Sequence, residues 1–143
     1  MTEKGNVLVI PCSGIGKATG TVGRTATYQV VEKLRPNKAS TICLSLLTIG
    51  DSKALKLVRS TPCIAVDGCP LNCARKNIEA SKGNLVANLI VTDILKEHRD
   101  LKPEGVTELG PQGRELARIL AEKLDKEIDK ITQKLEDEYH GRS

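Results

Sequence analysis

The segment that most constrains the fold spans residues 61–76, because it reads as one complete strand–turn–helix unit. Residues 63–66, Cys-Ile-Ala-Val, form a short apolar run that is typical of a buried strand. An Asp-Gly pair ends this run, and Pro70 then suits the first turn of a helix, where its missing N–H costs no hydrogen bond. The sequence therefore predicts a strand over 63–66 and a helix that begins at Cys69 and extends to about residue 82.

Three of the five cysteines lie in this segment, and two of them are four residues apart. Cys69 and Cys73 would share one face of the predicted helix at its N-terminal end, with Cβ atoms about 5–6 Å apart. Two thiolates at that distance can bind one metal ion, since a zinc–thiolate bond is about 2.3 Å long. The positive end of the helix dipole favours the thiolate. Two ordinary buried cysteines are the alternative, and the position directly after a strand favours a functional site.

Apolar runs and helical patterns alternate along the rest of the chain. The predicted strands cover residues 6–12, 41–47, 63–66 and 88–93, and the predicted helices cover residues 21–34, 50–59, 69–82 and 112–139. Alternation of this kind implies a parallel sheet with helices on both faces. We therefore predict an α/β fold, a Rossmann-like three-layer sandwich with a mostly parallel sheet of about four strands and a long C-terminal helix. We expect a single domain over residues 1–143, with a cysteine-bearing core over 1–95 and the C-terminal helix over 111–140.

Charge and aromatic content argue against several classes of partner. The chain has two Tyr and no Phe or Trp, so it lacks the stacking platforms of single-stranded nucleic-acid binding. Its net charge of +4 is spread along the sequence, which is typical of a solvated surface. No apolar stretch approaches the about 20 residues of a membrane span, and no signal-peptide pattern is visible. We expect a cytoplasmic protein that binds neither nucleic acid nor membranes, whose cysteines are metal ligands or reactive thiols rather than disulfides.

The residues with chemical potential gather at one edge of the predicted sheet. Cys12 ends the first strand, Cys43 lies within or near the end of the second, Asp67 and Cys69 follow the third, and Asp93 ends the fourth. Ligands of parallel sheets bind outside the carboxyl ends of the strands. Structural cysteines placed by chance would not favour that edge, so this convergence indicates a functional site.

Three further features of this edge remain open to more than one interpretation. The Gly-rich turn that carries Ser13 and Gly14 fits neither a P-loop nor a dinucleotide-binding pattern, yet backbone N–H groups at a helix start can bind a small anion. Asp67 and Asp93 are candidates for ligand binding or proton handling, with helix capping as the alternative. We expect a small anionic or sulfur-containing ligand in addition to a metal ion.

Four motifs of the chain resemble the DGC-domain family of small prokaryotic proteins, which is named for its central Asp-Gly-Cys motif. They are Pro11-Cys12-Ser13-Gly14, Cys43-Leu44, Asp67-Gly68-Cys69-Pro70-Leu71-Asn72-Cys73-Ala74-Arg75-Lys76 and Ile90-Val91-Thr92-Asp93. The resemblance covers roughly residues 6–95. It implies a zinc site whose four ligands are Cys12, Cys43, Cys69 and Cys73. It implies a bound metal but no established reaction. Cys63 matches no ligand of the family, and we expect it to be a packed thiol inside the third strand.

Four thiolates also suit other chemistry. Only Cys69 and Cys73 form a near pair, so a zinc finger or ribbon is excluded, but four cysteines also suit an iron–sulfur cluster. Thiols that cycle through persulfide or disulfide states are a third interpretation, which would place the protein in sulfur or redox metabolism. Nothing in the sequence identifies a substrate or decides whether the protein is an enzyme.

The predicted C-terminal helix carries a long apolar stripe. Its members are Leu116, Leu120, Leu124, Ile128, Ile131 and Leu135. Stripes of this kind usually pack against the sheet of the same chain. The length of the helix leaves room for a homodimer contact as well, and the sequence does not decide between the two.

Overall fold

Four parallel strands form one sheet at the centre of the computed structural model, which describes residues 7–12 and 14–141. The strands are β1 (Val7–Pro11), β2 (Ala39–Ser40), β3 (Cys63–Asp67) and β4 (Leu85–Ile90). Their order across the sheet is β2-β1-β3-β4, and every neighbouring pair is parallel. The predicted α/β fold with a parallel sheet of four strands is confirmed.

Six α-helices surround the sheet in the described part of the chain. They are α1 (Ala18–Gln29), α2 (Leu44–Thr48), α3 (Ser52–Ser60), α4 (Cys73–Ala80), α5 (Val91–Glu97) and α6 (Pro111–His140), and α1 continues into a π-helical turn over Val30–Leu34. Each crossover between parallel strands carries at least one helix, as parallel pairing requires. None of the helices in the described part of the chain is both long and apolar enough to cross a membrane.

The two faces of the sheet bury two separate sets of side chains, because side chains alternate along a strand. On β1, Val7 and Val9 join a core covered by α1, α5 and α6, whereas Leu8 and Ile10 join a core covered by α2, α3 and α4. All four side chains are at most 1 % exposed. The result is the predicted three-layer arrangement, with a mainly aliphatic core on each face of the sheet.

Helix α6 packs its apolar stripe against the core of its own chain. Leu116, Leu120, Leu124 and Ile128 are fully buried in the core that α6 shares with α1 and α5. Arg35, after the π-helical turn, also pairs with carboxylates on α6. The prediction that the stripe packs within the same chain is therefore confirmed for these four residues. A homodimer contact through the helix stays a prediction.

The second predicted strand is wrong over most of its length. Residues 41–47 were expected to be extended, but the strand covers only Ala39–Ser40, and Leu44–Thr48 is helical. Leu44 and Leu47 are three residues apart and both buried, which is the spacing of a helix face. A short apolar run is ambiguous between a buried strand and a buried helix, and here the helix is the outcome.

The fourth strand and the third predicted helix also have different bounds. The strand ends at Ile90 rather than residue 93, because Val91 and Ile94 turn inward at helical spacing in α5. The helix expected to begin at Cys69 begins four residues later, at Cys73. Asn72 stands before it in the left-handed conformation, with φ of 57°, and cannot belong to a right-handed helix.

Candidate functional site

The strand order places a switch point at the carboxyl ends of β1 and β3. From β1 the chain crosses to β2 on one side, and it later returns to β3 on the other side of β1. The helices that follow β1 and β3 cover opposite faces of the sheet, so a crevice opens between them at this edge. Cys12 directly follows β1, and the Asp-Gly-Cys motif begins at Asp67, the last residue of β3.

Cys12 is the most enclosed thiol of this edge. Its backbone N–H donates to the carbonyl of Val66 at 2.8 Å, which extends the pairing of β1 with β3, and its side chain is 8 % exposed. The backbone N–H of Gly68 donates to its Sγ at 3.3 Å. Burial raises the pKa of the Cys12 thiol, the Gly68 N–H acts in the opposite direction, and the negative charges of Asp67, Cys73 and Cys69 raise it further. Three of the four candidate metal ligands therefore share one electrostatic neighbourhood.

Asp67 caps helix α4 from the end of the preceding strand. Its carboxylate is fully buried and accepts hydrogen bonds from the backbone N–H of Ala74 at 2.7 Å and of Arg75 at 3.3 Å. The amide of Asn88 on β4 donates to the same carboxylate at 3.0 Å. Asn72, the local N-cap residue, makes no side-chain cap, so Asp67 supplies the negative group that the start of a helix favours. Helix capping by Asp67 is thus confirmed.

Three glycines bring the backbone segments of the site into direct contact. A Cβ on Gly20 would lie 2.3 Å from the carbonyl oxygen of Gly14, and a Cβ on Gly68 would lie 2.9 Å from the backbone N of Gly20. Gly14 also has φ of +45°, which favours glycine. These contacts hold the turn after β1, the start of α1 and the turn after β3 together around Cys12. Gly14 therefore has a packing role, and its predicted role in binding an anion stays a prediction.

Cys69 and Cys73 do not share a helix face, contrary to the sequence prediction. Cys69 lies in the turn that precedes α4 and is partly exposed, whereas Cys73 is the first residue of α4 and is exposed. Asn72 between them is held in the left-handed conformation, and its Oδ1 is buried without a hydrogen-bond partner among the described residues. Strained backbone and an unpartnered buried acceptor are features that cluster at functional sites.

Cys43 lies on the other side of Cys12, at the N-cap position of α2. It is exposed, and the nearby backbone N–H of Ser45, the hydroxyl of the same residue and the N–H of Leu46 lower the pKa of its thiol. Cys43 was expected within or near the end of a strand, and it follows the short strand β2 by three residues. The loop between β2 and α2 thus carries this thiol to the same edge as Cys12.

A cleft of about 350 Å³ joins Cys12 and Cys43. Both cysteines line it, together with apolar side chains from the end of β1 and from the β2–α2 loop and with Arg24 and Tyr28 of α1. Sequence reasoning missed Tyr28, since it belongs to no motif. The signal that was available is its spacing of four residues from Arg24, which places the two side chains on one helix face.

The remaining candidates are placed elsewhere or lie outside the description. Cys63 is fully buried in β3, where burial raises the pKa of its thiol to about 12, and the expectation of a packed thiol is confirmed. Asp93 was expected to end the fourth strand, but it is the third residue of α5, exposed, with its Oδ1 3.8 Å from Nζ of Lys96. Its predicted role in ligand binding stays a prediction, and Ser13 lies outside the described residues.

Within residues 7–12 and 14–141, no group of three or more Cys, His, Asp or Glu side chains is placed so that it could hold one metal ion. The ligand set Cys12, Cys43, Cys69 and Cys73 is therefore still a prediction. What the structure adds is the neighbourhood of each thiol.

One family model matches the chain. The DGC domain covers residues 8–112, which is more than half of the sequence and includes all five cysteines. Comparisons with curated proteins and with solved structures give no significant match.

Proposed function

Because the chain belongs to the DGC-domain family, we propose that it binds a zinc ion through Cys12, Cys43, Cys69 and Cys73. The observation that carries the proposal is the position of Cys12 at the switch point of the sheet. Its thiol lies within the electrostatic influence of Cys69 and Cys73 on one side and lines a cleft with Cys43 on the other. A reducing compartment, the cytoplasm, is part of the proposal, since thiolate ligands persist there.

The chemistry of these residues fits a zinc ion. All four donors are thiols, and none of them forms a disulfide. Four thiolates around a divalent cation leave two negative charges, which N–H groups at helix starts and turns can stabilise. The N–H of Gly68 already donates to Cys12 Sγ, and N–H groups of Ser45 and Leu46 stabilise the thiolate form of Cys43. A zinc ion bound by four thiolates would supply a redox-inert cross-link rather than a reactive group.

Residues around the thiols serve to position them. Asp67 fixes the first turn of α4 and hence the backbone of Cys73. The contacts among Gly14, Gly20 and Gly68 fix the turn on which the Cys12 sulfur depends. Mutations at these positions are expected to lower metal affinity without removing any ligand, as loss of supporting contacts around metal ligands does.

Single serine variants of the five cysteines test the ligand set. We expect Cys69→Ser and Cys73→Ser to lower zinc occupancy sharply when the metal-free protein is titrated against a chromophoric chelator, with Cys12→Ser and Cys43→Ser behaving alike. Cys63→Ser is the matched control, because Cys63 is fully buried in β3, is not a proposed ligand and does not line the cleft between Cys12 and Cys43. Equal loss of zinc from Cys63→Ser would mean that the proposed ligand set is wrong.

A second candidate function, reactive thiol or persulfide chemistry, is favoured by the exposure of Cys43 in a cleft that it shares with Cys12. Intact-protein mass spectrometry of the purified chain distinguishes the two candidates. A sulfur adduct on Cys43 with no bound metal would support thiol chemistry, whereas an unmodified chain with zinc would support the metal site. Iron with acid-labile sulfide would indicate an iron–sulfur cluster instead.

A further inference from the structure

The cleft beside α1 has the size and the walls of a site for a small organic molecule. Its volume of about 350 Å³ lies at the lower end of the range of about 300–1,000 Å³ for small-molecule sites. Pro11, Ile15, Ile42 and Leu44 are among the residues that line it, and most of the lining is apolar. The cleft opens at the carboxyl end of β1, where parallel sheets bind their ligands.

The polar side chains that line the cleft favour a negatively charged ligand. Arg24 and Tyr28 lie four residues apart on α1 and both line the cleft. Arg24 Nη2 donates to Thr21 Oγ1 at 3.0 Å, and the buried Thr21 hydroxyl donates in turn to the carbonyl of Val106. This chain of hydrogen bonds holds one nitrogen of the guanidinium against the first turn of α1. Among the described residues that line the cleft, Arg24 is the one basic side chain, and none carries a carboxylate.

From this combination we infer that the cleft binds a small organic carboxylate: Arg24 pairs with the carboxylate, and Tyr28 with the apolar walls holds the carbon body. A guanidinium binds a carboxylate with two parallel charge-assisted hydrogen bonds. The volume favours a ligand with a body of a few carbon atoms. The site shares Cys12 and Cys43 with the proposed zinc centre but uses neither the metal nor the charge of those thiols, so the two proposals stand or fall separately.

The low aromatic content of the chain makes tyrosine fluorescence a direct probe of ligand binding in the cleft. Tyr28 and Tyr139 are the two tyrosines, and there is no Trp or Phe. Tyr28 is 49 % exposed in the cleft, whereas Tyr139 lies near the end of α6. In the Tyr139→Phe variant, tyrosine fluorescence therefore reports on the cleft alone.

The experiment titrates metal-free, reduced Tyr139→Phe protein with three probes that are transparent in the near ultraviolet. Hexanoate carries both the carbon body and the charge, hexanamide lacks the charge, and acetate lacks the body. We expect a saturable change of Tyr28 emission with hexanoate. With hexanamide and acetate we expect at least about tenfold weaker binding, because each lacks one of the two interactions.

Two substitutions with matched controls locate the binding site. Arg24→Gln should weaken hexanoate binding by about tenfold or more, and Arg59→Gln on α3, outside the cleft, should leave it unchanged. Ile15→Glu places a negative charge in the cleft at a side chain that is 86 % exposed, so it tests the site without disturbing the core. It should weaken binding as well, whereas Ile49→Glu, at a side chain that is 76 % exposed outside the cleft, should not.

The outcomes separate this inference from the zinc proposal. Saturable hexanoate binding that depends on Arg24 and Ile15 supports the inference, whether or not the protein takes up zinc. Linear quenching by all three probes, or saturable binding that Arg24→Gln and Ile15→Glu leave unchanged, would overturn it. Failure of zinc to bind in a separate titration would contradict the zinc proposal and leave the hexanoate result standing.

Discussion

Substitution of Asp67 by Asn tests the claim that this carboxylate fixes the cysteine-bearing turn. One carboxylate oxygen accepts from Ala74 N–H, and the other accepts from Arg75 N–H and from the Asn88 amide. In Asp67→Asn an NH₂ group replaces one oxygen, so in either orientation of the new amide at least one of the three donors loses its acceptor, and the others keep only a weaker, neutral one. Asn88 cannot compensate by turning its amide without giving up its hydrogen bond to the carbonyl of Ala65.

The size of the effect follows from these three bonds. Hydrogen bonds to a charged group contribute about 1.5–3 kcal/mol each, and a buried donor left without a partner costs about 1–3 kcal/mol. Arg75 N–H is only partly buried, which reduces its share. We therefore expect Asp67→Asn to lower the free energy of unfolding by about 2–4 kcal/mol, a large part of the about 5–15 kcal/mol of a typical domain.

Urea denaturation followed by circular dichroism measures this loss. With an m value of about 2 kcal/mol/M, the midpoint should fall by about 1–2 M at unchanged slope. Asp51→Asn is the matched control, since Asp51 caps α3 through Ala54 N–H at the surface and Asn is an equally good N-cap there. A cost for Asp67→Asn as small as that of Asp51→Asn, within about 0.5 kcal/mol, would refute the assigned role.

Two further predictions concern packing and thiol reactivity. Gly68→Ala should lower the free energy of unfolding by about 1–3 kcal/mol in the same urea assay, because the new Cβ meets the backbone of Gly20. In the control Gly110→Ala the new Cβ has no atom nearer than 3.6 Å, so the free energy of unfolding should change little. Equal losses in the two variants would contradict the close contact at Gly68. In metal-free protein Cys43 should react with iodoacetamide near neutral pH faster than an ordinary thiol, because its lowered pKa leaves more of it as thiolate. Cys63, with its pKa raised to about 12 by burial, should stay unlabelled until the protein unfolds. Peptide mass spectrometry across a pH series checks both rates, and labelling of Cys63 as fast as Cys43 would be the contrary result.

Much of the fold could be predicted because strong local patterns agreed with the tertiary structure. Strands β1 and β3 are buried on both faces, so their continuous aliphatic runs gave a clear signal. The predicted secondary structure was wrong where a short apolar run can be buried either as a strand or as a helix. Residues 44–48 bury Leu44 and Leu47 as a helix, and only packing against the second core decides that outcome over a strand.

The cysteine edge was predictable in position but not in detail. The carboxyl ends of parallel strands meet at one edge, so Cys12 and Asp67 had to be neighbours once the strands were recognised. The delayed start of α4 was not predictable, because it depends on the left-handed backbone of Asn72 and on a cap supplied from another element. Tyr28 could not be assigned to a site, since the cleft exists only after the β2–α2 loop packs beside α1.

Metal analysis of anaerobically purified protein, combined with its ultraviolet and visible spectrum, tests the central claim most directly. The account predicts about one zinc ion per chain and no visible absorption, as expected for a site of four thiolates. Full-length reduced protein that binds no zinc, even when the ion is supplied in excess at neutral pH, would contradict it.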